Sequence, residues 1–515
     1  MIAATRLLRW SLLAWILAVC MSCSAAPATP ATTPAPPPAD LTLMRQALLP
    51  TAQPDLDAIV LALNPPQYAI DAAFDPERSQ VSGSERITYT NRSRASLNEL
   101  YLRLLPNLPD WGQASVLNLA IDGRPVTPRP ELGGSALRIP LEPPLRPGDR
   151  LTLQLDFVVS VPTRIAGNYG AFAFYDDVLA LAAFYPFIPV YDDEGWNVEI
   201  PPSYGDVVYA ETGLFLVRFQ LPAGWDVAAS GSIVSSRDNG DGTVTWTIVA
   251  APMREFNLIA SPEFETLEAH AGEVLLRAHV KPADAAGGRR ALTYARQALT
   301  VYEEMFGPYP FQELEIAATP TTAGGIEYPG LIVIADRLLG QSGGFFEWVV
   351  AHEVAHQWWY SLVGNDQIDE PWLDEALAQY SALLYTERVH GRAAAEAALE
   401  DLFERPYRQL RATGRDQPAG LPVGAYRPED YGSVVYSKGP LFFHALRQAM
   451  GEESFEAFLR AYAARHRYRI ATPASMLYAA VEACQCDALT PYAHWIMGAD
   501  LTPLAAAYRP SPSGP

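Results

Sequence analysis

In the stretch "VVAHEVAHQWWYSLVG", Val349 to Gly364, two histidines stand four residues apart and a glutamate directly follows the first. At 3.6 residues per turn, His352 and His356 project from one helix face about one turn apart, so two imidazoles can share one metal ion. Glu353 can point to the same side as a general base. A catalytic zinc needs a third protein ligand and an open position. Downstream, "DEPWLDEALAQY" opens a second helix at Asp369 to Pro371, with Trp372, Leu373, Ala376, Leu377 and Tyr380 as its apolar stripe. Glu375 lies among these residues, where a carboxylate is costly unless a cation pairs with it. On the residues alone Asp374 serves as well. The plain alternative is a buried helix with two satisfied histidines and a solvated pair of acids.

The elements that must position these groups are legible in outline. Phe345 to Leu362 holds neither Gly nor Pro and Gly364 closes it, which predicts a helix. "ALTYARQALTVYEEMF", Ala291 to Phe306, has helical spacing and stops at Gly307-Pro308; further helical stretches run to about Cys484. Before them the pattern has period two, as in "SERITYT", "LTLQLDF" and "TVTWTI", with turns at Pro147 to Asp149 and Asp238 to Gly242. "DNGDG" resembles a calcium loop but lacks the distal glutamate and leads into a strand, so it reads as a hairpin turn. "VLLRAHV", Val274 to Val280, is the last strand-like run before the helices. The expected fold is α+β and multidomain: an antiparallel β domain over 41–262 followed by a mainly helical domain over 263–507, with a disordered tail at 508–515.

The N-terminus carries Arg6 and Arg9, an apolar run from Trp10 to Val19, and then small residues. The run is too short for a spanning helix and reads as a signal segment over 1–23. Ser22-Cys23 resembles a bacterial lipobox, with Cys20 where a Leu is usual; Cys23 is the candidate lipidation site and an ordinary cleaved signal or signal anchor the alternative. "SAAPATPATTPAPPPAD", 24–40, reads as an extended tether. Together these predict an exported, envelope-bound chain that meets a membrane surface through its N-terminus.

A chain of 515 residues with 49% hydrophobic and 18% charged residues is globular and exceeds one ordinary core. Its net charge of −21 repels phosphate backbones, which argues against a nucleic-acid partner. Cys484 and Cys486 are too few for a disulfide-stapled scaffold; two free thiols are as reasonable as a disulfide or a weak metal pair. Oligomeric state is not legible.

His352, Glu353 and His356, then eighteen residues, then Glu375 within "WLDEALA", resemble the gluzincin metallopeptidases of the aminopeptidase-N family. The resemblance selects Glu375 over Asp374 as third ligand and implies one zinc per chain and a thermolysin-like catalytic domain. Two further segments match in family order. "TAGGIEYPG", Thr321 to Gly330, stands where the family carries G-x-M-E-N, with Ile326 for Met and Tyr328 for Asn. Glu327 then corresponds to the glutamate that binds the substrate's α-amine, while Gly324 and Gly325 let a peptide backbone approach. "VVYSKGPLFF" resembles the family's Y-x-K-G segment, and Tyr436 corresponds to the oxyanion donor.

The resemblance implies hydrolysis of N-terminal residues from peptides, with Glu353 as base. Alternatives on the same scaffold are an endopeptidase, an epoxide hydrolase, or a non-catalytic envelope-binding protein. Little follows the last helical stretch, so a cleft more open than in the family's larger members is expected. The family's β-domain glutamine, which shares the α-amine, has no convincing counterpart; Asp192, Asp193 or Glu194 are the substitutes the sequence offers.

Overall fold

The computed structural model describes residues 40–498 apart from 166, 168 and 342. The leader, Cys23, the tether up to residue 39 and the tail at 508–515 therefore lie outside the described residues. Among those described, no helix is long and apolar enough to cross a membrane.

The described residues begin with helices where strands were expected. Leu41–Met44 and Gln53–Leu63 are helical; Asp40 caps the first by accepting from the Thr42 N–H at 2.8 Å, and Pro54 sits in the first turn of the second. Strands follow from Gln67. One sheet has eight, in the order Ser232–Asp238, Thr243–Met253, Gly213–Pro222, Gln67–Asp75, Gln80–Thr90, Arg150–Ser160, Gln113–Ile121 and Arg124–Pro125. Its pairings are antiparallel save one: Gln67–Asp75 runs parallel to Gly213–Pro222. Only a long crossover permits that pairing, and the intervening residues build most of the β part. The "DNGDG" segment joins Ser232–Asp238 to Thr243–Met253 as a hairpin. Smaller sheets of three and four strands complete this part.

From Glu265 the chain builds a five-stranded mixed sheet, ordered Glu265–Ala271, Val274–Val280, Glu313–Thr319, Leu331–Ala335 and Gly325–Ile326. Helix Ala285–Phe306 is the crossover between the parallel strands Val274–Val280 and Glu313–Thr319. Gly307, at φ +104, ends it in a conformation that suits glycine. Leu331–Ala335 is buried along its whole length, as a parallel strand covered on both faces should be. Gly325–Ile326 is the sheet's edge, antiparallel to Leu331–Ala335.

Helix Gly344–Ala355 packs against strands Leu331–Ala335 and Gly325–Ile326, and helix Trp372–His390 packs against that helix. The first is shorter than its composition suggests, because His356 caps it and the chain then turns. Tyr360 takes φ +115, and the Ser361 N–H donates to the His356 carbonyl at 3.0 Å. Arg254, buried, ties the two parts of the chain: its guanidinium donates to the carbonyls of Ala210, Tyr360 and Arg469. Cys484 and Cys486 are joined in a disulfide, which settles the choice their spacing left open.

Candidate metal centre and cleft

His352 projects from helix Gly344–Ala355 and His356 from its C-terminal cap, so their rings meet despite the helix ending between them. The two Nε2 atoms stand 3.1 Å apart, and Oε2 of Glu375 lies 3.3 and 3.4 Å from them. All three residues are buried. His356 Nδ1–H donates to the Trp359 carbonyl at 2.8 Å, which leaves Nε2 as the lone-pair nitrogen. Oε2 of Glu375 takes no hydrogen bond. Three buried lone-pair donors converging on one point without a donor among them fit a cation, and two nitrogens with one carboxylate oxygen suit zinc.

The electrostatics agree. Burial pushes the His356 ring down, but the adjoining Glu375, then Glu327 and Asp374, outweigh it and raise the value to about 10. Burial alone would raise Glu375, yet the two histidines hold it below the ordinary carboxylate range. Positive charge is thus strongly favoured where these atoms meet, and a metal ion supplies it better than a proton.

Two indole N–H groups clamp the helices that bring the donors together. Trp348 Nε1 donates to Gln379 Oε1 at 2.8 Å and Trp359 Nε1 to Ser381 Oγ at 2.9 Å, each joining the histidine segment to helix Trp372–His390. No spacing rule marks these residues in the sequence as positioning groups.

Glu353 lines the same cleft; burial holds its carboxyl well above the ordinary value, against the pull of His356. Gly325 on the edge strand passes directly over it, whereas a Cβ at Gly324 would meet only Val349 at ordinary contact distance. Of the two glycines, the close approach thus requires only Gly325. Glu327 follows on the same segment, buried, with Oε1 accepting from Gln367 Nε2 at 3.0 Å. Gln357, next to His356, staples this segment to the helix: it accepts from the Gly330 N–H at 2.8 Å and donates to the Tyr328 carbonyl at 3.1 Å. Neither glutamine was marked in the sequence.

Asp374 does not share the two-histidine cluster. It is buried, accepts from Gln367 Nε2 at 2.8 Å, and is pushed up to about 7 by burial and then by the Glu375 charge. Tyr436 lies in a π-helical turn, Val434–Lys438, of a kind often found at functional sites. Its hydroxyl donates to Glu375 Oε1, and burial and Glu375 keep the phenol protonated well above its usual range. Lys438 anchors the turn by donating to Asp416 Oδ1 at 2.7 Å and to the Gln417 carbonyl at 2.6 Å.

These groups open on one cavity of about 460 Å³, lined by Gly324, Gly325, Glu327, His352, Glu353, Glu375 and Tyr436 together with aromatic residues from both parts of the chain. Asp192, Asp193 and Glu194 are not among its walls. Asp192 is engaged elsewhere, accepting from Asn197 Nδ2 at 2.9 Å and from the Glu194 N–H at 3.0 Å. The acids that the β part does bring to the cleft are Glu255 and Asp206, and a carboxylate oxygen of Asp206 lies within 4.8 Å of oxygens of Glu327 and Glu375.

A β domain, a mixed sheet with its edge strand over a two-histidine helix, and a third donor on the next helix are the arrangement that the resemblance to the gluzincin metallopeptidases implies. Residues 290–495 match the Peptidase family M1 domain. Among curated relatives it is 32% identical to Aminopeptidase RNPEPL1 of Homo sapiens over 182 residues, 33% of this chain and 25% of that one. To Aminopeptidase M1 of Arabidopsis thaliana it is 25% identical over 286 residues, 52% of this chain and 32% of that one. The chain thus spans about a quarter to a third of the length of these relatives. The M1 zinc metallopeptidase from Deinococcus radiodurans superposes with a TM-score of 0.61 at 22% identity, covering 88% of this chain and 97% of the other. A mutant of it bound to a Tyr-Ser-Ala substrate gives 0.61 at 21%, over 85% and 96%. At these identities the likeness speaks for the fold.

Proposed function

We propose that this chain is a zinc-dependent aminopeptidase that hydrolyses N-terminal residues from peptides. The observation that carries the reading is that Glu327, Glu353, Tyr436 and two of the three metal donors, His352 and Glu375, line a single cavity wide enough for a peptide end. The relatives named aminopeptidase and the substrate-bound Deinococcus radiodurans protein support it.

His352, His356 and Glu375 would hold the zinc. When bound, zinc supplies Lewis acidity, polarising a carbonyl oxygen and acidifying a water molecule. Glu353 accepts the proton of the attacking water at its carboxylate and returns it to the leaving amine. The Tyr436 hydroxyl donates to the negative charge that develops on the carbonyl oxygen. Glu327 accepts from the substrate ammonium and so fixes which peptide bond reaches Glu353. Gly325 keeps the edge strand low enough for an extended peptide to lie along it.

The test compares an aminoacyl fluorogenic substrate with its N-acetyl form. A charge-assisted hydrogen bond contributes roughly 1.5–3 kcal/mol, so the free amine should be preferred by at least about tenfold in kcat/KM. Equal cleavage of the acetylated form would make the protein an endopeptidase.

The leader and Cys23 support an exported protein tethered to a membrane by a lipid. Intact-mass measurement should find an acylated N-terminus at Cys23; an unmodified N-terminus beyond it would indicate simple secretion.

A further inference from the structure

We infer that Lys438 is a positioning residue for the reaction: its buried ammonium fixes the π-helical turn that carries the Tyr436 hydroxyl to its place beside Glu375. The inference rests on the aminopeptidase reading above and concerns how one of its groups is aimed.

The sequence itself opens the helix at this point. Helix Pro428–Ser433, the turn Val434–Lys438 and helix Gly439–Met450 follow one another without a break. Pro440 has no N–H for the Tyr436 carbonyl four residues back, and its ring crowds that carbonyl. The backbone widens there into a π turn, a rare form. A turn loosened in this way does not by itself fix the direction of the Tyr436 side chain, so outside contacts must.

Three contacts do so. Ser437 Oγ donates to the Leu402 carbonyl at 2.8 Å. Gly439 lies so close to helix Trp372–His390 that a Cβ there would fall 2.7 Å from Cβ of Ala376, the neighbour of Glu375. Lys438 makes the third contact and is the one that carries charge. Its side chain is 4% exposed, and burying an ammonium is costly unless it is paired. Here Asp416 and the Gln417 carbonyl pair it, and Nζ also stands 5.5 Å over the Tyr407 ring. The Tyr407 hydroxyl donates to the second Asp416 oxygen at 3.0 Å. The segment that receives the ammonium is itself fixed. The Gly420 N–H donates to the Ile496 carbonyl at 3.0 Å, and the Tyr426 hydroxyl to the Ala419 carbonyl at 2.8 Å.

An apolar residue would fill the same space at less cost, but a charged pair fixes distance and direction together. The ammonium is spent outside the cleft, whose walls include Tyr436 and Ser437 but not Lys438. Lys438 therefore acts on the reaction only through the turn.

The experiment is a double-mutant cycle on the full zinc-loaded protein: wild type, Lys438→Met, Tyr436→Phe and the double variant. Each is assayed on the best-cleaved aminoacyl fluorogenic substrate, with zinc content measured alongside. Methionine keeps the apolar stem and removes the ammonium. Since a misplacement of about 1 Å costs on the order of 10²-fold, Lys438→Met alone should lower kcat by about that factor, with KM and zinc unchanged. In the Tyr436→Phe background the same substitution should cost less than about threefold, because the hydroxyl it aims is already gone. Equal losses in the two backgrounds would place the effect of Lys438 elsewhere and overturn the proposal alone, leaving the role of Tyr436 intact. An unchanged kcat or a loss of zinc in Lys438→Met would overturn it as well. Should that variant not fold, Asp416→Ala, which frees the ammonium by changing a less buried side chain, takes its place with the same expected and overturning results. If Tyr436→Phe alone leaves kcat at the wild-type level, the oxyanion role assigned above fails first and takes this inference with it.

Discussion

A Cβ built on Gly325 falls 2.3 Å from Oε1 of Glu353 and 2.5 Å from its Cδ and Cγ. The edge strand and the Glu353 carboxylate thus occupy touching layers, with no room for a methyl group between them. Gly325→Ala must displace either the strand or the carboxylate, and a shift of about 1 Å in a catalytic group costs on the order of 10²-fold in rate. We expect kcat/KM to fall by roughly that factor while zinc content is unchanged. Wild-type turnover in this variant would show that the strand can lift without disturbing Glu353.

Glu353→Gln and Tyr436→Phe separate two roles that share one cavity. The amide cannot accept a proton, so Glu353→Gln should be folded, zinc-loaded and nearly inactive. Tyr436→Phe removes a donor that acts mainly as charge develops, and should lower kcat by about 10²–10³-fold with little change in KM. A rise in KM alone would assign Tyr436 to substrate binding, or to orienting Glu375, to which its hydroxyl donates.

Removing the metal leaves His352, His356 and Glu375 buried together with only a proton to reconcile them. A chelator should therefore abolish activity and also lower the melting temperature, since the ion binds only the folded chain. Added zinc should restore both. Glu375→Ala should lose zinc and the chelator-sensitive part of the stability; full occupancy in that variant would remove Glu375 from the ligand set.

The sequence exposes the centre because helical spacing is local: His352 and His356 fall about one turn apart, and Glu353 adjoins the first. It exposes Glu375 less directly, since Asp374 has the same chemistry and only the packing of helix Trp372–His390 decides between them. Groups joined across the fold were not legible. Gln367 bridges Glu327 and Asp374, Trp359 links His356 to Ser381, and Asp206 comes from a loop far upstream, so no periodicity marks any of them. The acids at 192–194 looked suitable by chain position, yet Asp192 is spent on its own turn. The early helices were missed for a related reason. Gln53–Leu63 buries Leu56 and Ile59 against the strands that follow, and that surface does not exist until those strands form.

The last prediction concerns His279, which joins the two parts of the chain. Its ring is buried on strand Val274–Val280, with Nδ1 2.7 Å from Asp226 Oδ2 and Nε2 2.6 Å from Glu315 Oε2. Asp226 belongs to strand Asp226–Ala229 of the β part, and Glu315 to the five-stranded sheet. Both ring nitrogens face carboxylates, so both must donate, and the ring is an imidazolium. Burial works against the charge, but Asp226 and Glu315 outweigh it and raise the value to about 9. Thr266 bonds Asp226 at 2.7 Å and Arg277 bonds Glu315 at 2.9 Å, which holds both acceptors in place. Because the folded value lies above the unfolded one near 6.5, this contribution is complete below about pH 6.5 and is lost as pH rises through about 9. Over that window it amounts to about 3 kcal/mol. Glu255, pushed up to about 7 by burial, also lowers stability with rising pH, but its effect ends near pH 7 and is common to both proteins compared. Denaturant unfolding of the zinc-loaded wild type and His279→Gln should therefore show a stability difference that is large at pH 6 and shrinks by about 3 kcal/mol by pH 9.5. A difference that stays constant across that range would mean that the ring carries no charge between Asp226 and Glu315.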